Sequence, residues 1–352
     1  MRVAQITPYY PPHIGGVEIH VKELSERLSE RGHQIYVVSS CGHGKNGVEV
    51  ITVPSVNFPY SPIPITFPGL EADIYHSHVP SPTFAFRARD RHPHIVTYHN
   101  DVIVPSKVNG FPIPGFVAAS IETINEKLVR PVLDKAELII ATTESYAETS
   151  KVLKEYLHKV EVIPNAVDVS LFQPVEQKKP YVIYVGRLVE YKGLGMLIEA
   201  MRDVQAQEDL ELVVVGDGED RRRFEIMASK LGVNIRFTGR VGFDELRNLM
   251  SHAELLVLPS NTRLEAFGIV LLEAMACKTP VLAFDTPGVS EVAKNGGFVF
   301  SSISELSQLI LELHGNEGLR RALGDKGRRA VEEKYSWDIV VDRIEELYGE
   351  IA

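Results

Sequence analysis

Glu265-Ala-Phe-Gly-Ile-Val-Leu-Leu-Glu273 sets two carboxylates around Gly268, just after the strand-like run Leu255-Leu256-Val257-Leu258-Pro259-Ser260. The spacing predicts a strand, a loop that carries Glu265, and a helix that opens near Gly268. Unpaired amides and the positive end of the dipole make such a helix start attractive to phosphate. Carboxylates repel phosphate, yet they accept hydrogen bonds from polyol hydroxyls. Phosphate donors beside two hydroxyl acceptors describe a surface for a sugar nucleotide. An amphipathic helix with solvated glutamates accounts equally well for these nine residues taken alone.

A second segment supplies cations. Tyr181-Val182-Ile183-Tyr184-Val185-Gly186-Arg187 reads as a buried strand ending in a glycine and an arginine, with Lys192-Gly193 following. A rigid fork and a flexible ammonium beyond a strand's C-terminal end stand where open α/β sheets take ligands, and together they can neutralise a diphosphate. Gly15-Gly16 lies between the first strand and its helix, where two glycines let backbone amides approach a ligand; the bland reading is a tight turn. Val215-Gly216-Asp217-Gly218 lacks the dinucleotide fingerprint, because Arg221 stands where its third glycine belongs.

Nine of the twelve histidines fall before residue 100. His76-Ser77-His78 and His92-Pro93-His94 invite a metal reading, since alternate strand residues face one way, but a third ligand would have to come from elsewhere. No metal is expected. His99 ends the strand Ile95–Tyr98, so its imidazole can serve a sugar hydroxyl; Asp101 beyond it is a candidate for orienting an acceptor hydroxyl.

These segments together resemble the retaining glycosyltransferases of family 4, which have the GT-B fold. The resemblance rests on Pro11-Pro12-His13-Ile14-Gly15-Gly16-Val17-Glu18, Val96-Thr97-Tyr98-His99-Asn100-Asp101, Ile163-Pro164-Asn165-Ala166-Val167-Asp168, Gly186-Arg187…Lys192-Gly193 and Glu265…Glu273, in that order. Pro287-Gly288-Val289-Ser290-Glu291 is also similar to a family segment, although the stretch after it, Lys294–Phe298, looks short. The resemblance implies donor binding by Gly15, Gly16, Gly186, Arg187, Lys192, Gly216, Arg240, Val241, Glu265, Phe267, Gly268, Ile269, Val270 and Glu273. It implies catalytic roles for His99, Arg187, Lys192 and Glu265, retention at the anomeric carbon, and no cofactor or metal. Main-chain groups of Arg240 or Val241 would read the base.

The elements that must position these groups follow from the alternation of short apolar runs with helical patterns. Strands are expected at Val3–Ile6, Gln34–Ser39, Val48–Val53, Ile74–His76, Ile95–Tyr98 and Leu138–Thr142, then in a second series at Val160–Ile163, Tyr181–Gly186, Glu211–Val215, Asn234–Phe237, Leu255–Leu258 and Val281–Ala283. Helices are expected at Gly16–Arg31, Gly193–Gln205, Asp220–Leu231 and Phe243–Ser251. Two such series predict an α/β protein with two doubly wound Rossmann-like domains facing across a cleft. The boundaries read as 1–166 for an acceptor-binding domain and 167–336 for a sugar-nucleotide domain. The family resemblance implies that the last helix, within 337–352, packs back on the first domain. Pro54–Leu70, with five prolines, reads as an extended loop, and Val102–Val117 as a flap.

Bulk properties bound the alternatives. At 352 residues, 44% hydrophobic and 24% charged, the chain suits two globular domains. A net charge of −10 argues against a general nucleic-acid binder. Cys41 and Cys277 fall in different domains, and no apolar run reaches the length of a membrane span. A cytoplasmic protein is expected, with peripheral contact at the inner membrane face left open and the oligomeric state unread. The donor base and sugar are unread, and the acceptor is a sugar, a sugar phosphate, a lipid-linked saccharide or a small polyol. Two rival functions remain: a sugar-nucleotide 2-epimerase of the same fold, and a non-catalytic sugar-nucleotide-binding subunit. An oxidoreductase is weaker, for want of the glycine fingerprint.

Overall fold

The computed structural model describes residues 1–13, 15–57, 61–105, 107–108 and 111–352. The chain forms two compact units. One comprises Met1–Ser106, Ile113–Asn165 and Trp337–Ala352, the other Lys107–Pro112 and Ala166–Ser336. The main division thus falls one residue before the expected 166/167, and Lys107–Pro112 groups with the second unit rather than the first.

The first unit holds seven strands: β1 (Arg2–Ile6), β2 (Gln34–Ser39), β3 (Val48–Thr52), β4 (Ile74–Val79), β5 (His94–Tyr98), β6 (Leu138–Ala141) and β7 (Val160–Val162). They form one parallel sheet in the order β7-β6-β5-β4-β1-β2-β3. Helices α1 (Gly16–Glu30), α2 (Pro82–Ala88), α3 (Gly115–Lys135) and α4 (Glu144–Thr149) connect them. A parallel sheet covered on both faces normally has near-continuous apolar strands. β4 breaks that habit: Ile-Tyr-His-Ser-His-Val is buried at all six positions. Its polar side chains must therefore find partners inside the unit.

The second unit has β8 (Lys179–Val185), β9 (Glu211–Val215), β10 (Ile235–Gly239), β11 (Ala253–Leu258), β12 (Val281–Phe284) and β13 (Gly297–Phe300), again parallel, in the order β10-β9-β8-β11-β12-β13. Its helices are α5 (Leu194–Gln205), α6 (Arg221–Leu231), α7 (Phe243–His252), α8 (Ile269–Ala276), α9 (Val289–Ala293), α10 (Ile303–Gly315) and α11 (Glu317–Lys334). Alternate strand residues feed opposite faces. Ile183, Val213 and Leu256 join α8 in one core, while Val182, Val214 and Leu255 join α5 and α10 in the other. Each fully buried side chain of this kind stabilises by about 1.5–3 kcal/mol.

Both sheets have a switch point, where strand order reverses and the loops leaving two neighbouring strands part to opposite faces. In the first unit it lies between β1 and β4, in the second between β8 and β11. The C-terminal helix, Trp337–Ile351, belongs to the first unit, where Arg31 pairs with Asp342 and Glu345 and His33 lies 2.6 Å from Glu345.

Three expectations need correction. β13 was not anticipated, because Gly296-Gly297 reads as a loop; in the sheet a Cβ on Gly297 would stand 1.7 Å from the Val281 carbonyl oxygen. The flap expected at Val102–Val117 ends where α3 begins at Gly115, and Lys107–Val108 pairs with Phe111–Pro112 in a short ribbon. In Pro54–Leu70, Ser55–Val56 pairs with Ile63–Pro64. Residues 58–60, 106 and 109–110 of these two stretches, and Ile14 of the first motif, lie outside the described residues.

Candidate functional site

The loops after β8 and β11 carry the charged groups of the second unit. Close backbone contacts fix them. Gly193 has φ +76°, and a Cβ there would lie 2.0 Å from the Pro259 carbonyl oxygen. Gly216 has φ +127° and would meet the Gly186 oxygen at the same distance. These positions require glycine for local geometry. The amide of Gly186 donates to Val215 at 3.0 Å and that of Gly216 to Gly239 at 2.8 Å, tying three strand ends together.

Lys192 and Glu265 meet here as a close ion pair, their side chains 23% and 15% exposed. Burial alone would lower the Lys192 ammonium, but the Glu265 carboxylate outweighs it and holds it above the ordinary lysine value. Ser260 Oγ adds a 3.5 Å bond to the Lys192 carbonyl, so the pair and the backbone join the same two loops. Arg187 is exposed, and among the described residues its guanidinium has no carboxylate partner. Its carbonyl accepts from the Tyr184 hydroxyl at 3.1 Å, which fixes the backbone beneath the side chain.

α8 opens as the sequence predicts. Gly268 sits in the left-handed region at φ 79° and caps it, with a Cβ there only 2.7 Å from Leu258. The first amides of the helix, at Ile269 and Val270, show no hydrogen-bond partner among the described residues, as is usual in the first turn of a helix. Glu273, one turn in, has no hydrogen-bonded or ion-paired partner among those residues, and burial pushes its carboxyl up to about 7. Phe267 is buried edge-on to Tyr335 at 6.2 Å. Its place is in the core beneath the loop. Arg240 is exposed and Val241 half-buried just after β10.

In the first unit the strand ends are occupied by one another's side chains. Gln5 Nε2 donates to the Tyr348 hydroxyl at 3.1 Å, and Gln5 Oε1 lies 2.7 Å from His78 Nε2. His76 reaches Tyr348 at 2.6 Å and Thr97 Oγ1 at 2.7 Å, so both its nitrogens are used. His94 meets Ser77 Oγ at 2.7 Å and His92 meets Glu137 at 2.7 Å. Of the histidine pairs singled out in the sequence, His76 has both nitrogens engaged, while His94 Nδ1 is buried without a partner. His78 Nδ1 instead faces His99 Nε2 at 3.3 Å, and His20 of α1, which sequence reading passed over, completes a buried group of three imidazoles. Burial drives His76 down to about 3 and His20 and His94 to about 4, with His78 and His99 also well below the ordinary value, so these rings are neutral.

Asp101 corrects the expectation of an acceptor group. It is buried, and its Oδ1 accepts from Tyr98 at 2.9 Å and Ser150 at 2.6 Å, which pins the loop after β5. Gly15 caps α1 with an extended backbone, and Glu18 folds over it, close to His13 at 3.1 Å. Gly16 has open space where a Cβ would stand, the room a ligand needs to reach the backbone.

A model described as "Glycosyltransferase Family 4" matches residues 14–171, and one described as "Glycosyl transferases group 1" matches residues 170–330. The chain belongs to this glycosyltransferase family. An uncharacterized glycosyltransferase of Methanocaldococcus jannaschii is 28% identical over 375 aligned positions, covering 100% of this chain and 99% of the relative. A GDP-mannose-dependent monoacylated alpha-(1-6)-phosphatidylinositol monomannoside mannosyltransferase of Corynebacterium glutamicum is 34% identical over 207 positions, covering 52% of this chain and 54% of its own. The GPI3 subunit of a Saccharomyces cerevisiae phosphatidylinositol N-acetylglucosaminyltransferase is 25% identical, covering 99% and 83%. Among solved structures, sucrose-phosphate synthase from Thermosynechococcus elongatus superposes with a TM-score of 0.79 at 20% identity, over 99% and 98% of the two chains. Anabaena HepE in complex with UDP gives 0.77 at 17% identity over 100% of both. The fold of this glycosyltransferase is accordingly GT-B, built from two doubly wound units.

Proposed function

We propose that this glycosyltransferase moves a hexosyl unit, with retention, from a nucleoside-diphosphate sugar to a hydroxyl of a sugar, sugar phosphate, lipid-linked or small polyol acceptor. The observation that carries the reading is the arrangement at the second switch point. There an unpaired Arg187 and the Lys192–Glu265 pair stand on the loops after β8 and β11, and the open amides of Ile269 and Val270 and an unpaired Glu273 on α8, which follows β11. The relative solved with UDP supports a nucleotide donor, and the two phosphatidylinositol-directed relatives favour a lipid-linked acceptor. No helix among the described residues is long and apolar enough to cross a membrane.

As the glycosidic bond lengthens, negative charge grows on the departing diphosphate, and donors already in place stabilise it. Arg187, Lys192 and the α8 amides are those donors, and the step draws on no metal. Donor binding redirects the Lys192 ammonium toward phosphate and leaves Glu265 to accept from sugar hydroxyls. Glu273 accepts from the ribose hydroxyls. His99 is assigned to the sugar from the family resemblance. The leaving phosphate oxygen takes the acceptor's proton as the new bond forms on the face the nucleotide leaves.

Calorimetric titration with UDP, GDP and ADP, with and without magnesium, tests the reading. Binding of one of them that magnesium does not change is expected. No binding of any, or binding only with magnesium, overturns it. Release of an epimer from sugar nucleotide alone would establish the epimerase instead.

A further inference from the structure

We propose that His20, His78 and His99 bind one late first-row divalent cation, with zinc the best match, at the switch point of the first sheet. The three residues come from α1, β4 and the end of β5. Each can offer one ring nitrogen so that all three lie within 4.8 Å of one another. Their ring centroids stand 5.0, 5.5 and 5.8 Å apart.

Two imidazole nitrogens bound to a tetrahedral zinc at about 2.0–2.1 Å are themselves about 3.3 Å apart. His78 Nδ1 and His99 Nε2 are separated by 3.3 Å. That is long for a hydrogen bond between two rings and the right span for a shared ion. His20 supplies the second, independent observation: it is only 6% exposed and its Nδ1 has no hydrogen-bond partner. A buried imidazole nitrogen without a partner is an uncompensated cost that a ligated cation removes.

The surroundings have the features of a ligand shell. His78 binds through Nδ1 while its other nitrogen donates to Gln5 Oε1 at 2.7 Å, and Gln5 is held in turn by Tyr348 at 3.1 Å. Such outer hydrogen bonds fix the tautomer and aim of a metal-bound histidine. Three imidazoles without a carboxylate favour zinc, cobalt or copper over magnesium or calcium. His76, adjacent on the strand, is excluded because both its nitrogens are engaged. The cation ties a helix, a strand and a loop of the first unit together. It is separate from the diphosphate contacts of the second unit but shares His99 with the proposed function; with Nε2 on the cation, that ring keeps Nδ1 for the sugar.

The full chain, freed of metal with a chelator, would be titrated with cobalt chloride as a spectroscopic probe and then with zinc chloride. The expected result is one equivalent of cobalt with the visible bands of a four-coordinate, nitrogen-rich site, displaced by zinc, and a melting temperature that rises with zinc concentration. Affinity should fall 10–100-fold in Gln5→Leu and further in His20→Gln and His78→Gln. Absence of saturable binding, six-coordinate bands, or binding unchanged in His20→Gln would overturn the proposal. If the histidine variants do not fold, zinc-edge X-ray absorption of the wild-type protein decides: three imidazoles at about 2.0–2.1 Å uphold it, and one or two overturn it.

Discussion

The two switch points are built from the same topology and filled in opposite ways. In the first unit the polar groups at the strand ends are neutral, buried and mostly bonded to one another, as in the run Thr97–His76–Tyr348–Gln5–His78. In the second, the groups are ionic and leave bonding capacity over: Arg187 and Glu273 have no partner among the described residues, and Lys192 and Glu265 have chiefly each other. Unspent capacity at a strand end marks a ligand site, whereas a closed network marks a scaffold. Changes in the second unit should therefore reach turnover and binding first, and changes in the first should reach stability.

The largest contrast is expected from Arg187→Ala. Loss of one pre-placed donor to the leaving group should lower turnover by about 10²–10³-fold. The melting temperature should move by no more than about 2–4 °C, since the side chain is exposed. A variant that unfolded would place Arg187 in the scaffold after all.

Tyr348→Phe is the converse. It leaves Gln5 Nε2 and one nitrogen of His76 without their partner in a buried network, at a cost of about 1–3 kcal/mol by chemical denaturation. Nucleotide affinity of the folded fraction should hold. An unchanged denaturation midpoint would show that water replaces the hydroxyl and that the network is less closed than its distances imply.

Glu273 sharpens the comparison through pH. Its folded value of about 7 lies above the ordinary 4.5, so between these values the native protein keeps a proton that the unfolded chain has lost. Stability tied to that proton is complete below pH 4.5 and lost as pH rises through 7. Glu273→Gln should therefore raise the melting temperature at pH 8, by about 1–3 kcal/mol of stability, and leave it unchanged near pH 4.5. The same variant should bind nucleoside diphosphate about tenfold more weakly at pH 8. A melting gain independent of pH would refute the assignment of this carboxyl.

Gly16→Ala carries the smallest expected effect. The new methyl has open space, so stability should change by about 0.5–1 kcal/mol at most, in the stabilising direction. A fall in donor affinity without loss of stability would show that the α1 start receives ligand.

Much of this was legible beforehand. The alternation of apolar runs gave the strands and the doubly wound class, and Gly268 gave the start of α8. What escaped was long-range. His20 reads as one polar residue on an amphipathic helix, and only the parallel pairing of β1 with β4 brings it to His78 and His99. Asp101 reads in the sequence as a candidate for orienting an acceptor hydroxyl, but Tyr98 and Ser150, near and far in sequence, both donate to its Oδ1. Lys192 and Glu265 were expected to act separately, and 73 positions of chain hide their pairing. β13 was lost because its glycines are there for close backbone approach and resemble those of a turn.

The helix Trp337–Ile351 has a consequence for how the protein is made. Gln5 and His76 are synthesised early, yet the hydroxyl that joins them belongs to Tyr348. On the ribosome the first unit must wait, with its central strands incompletely bonded, until the whole of Ala166–Ser336 has been translated. The second unit, whose sheet is contiguous in sequence, can close before the first is finished.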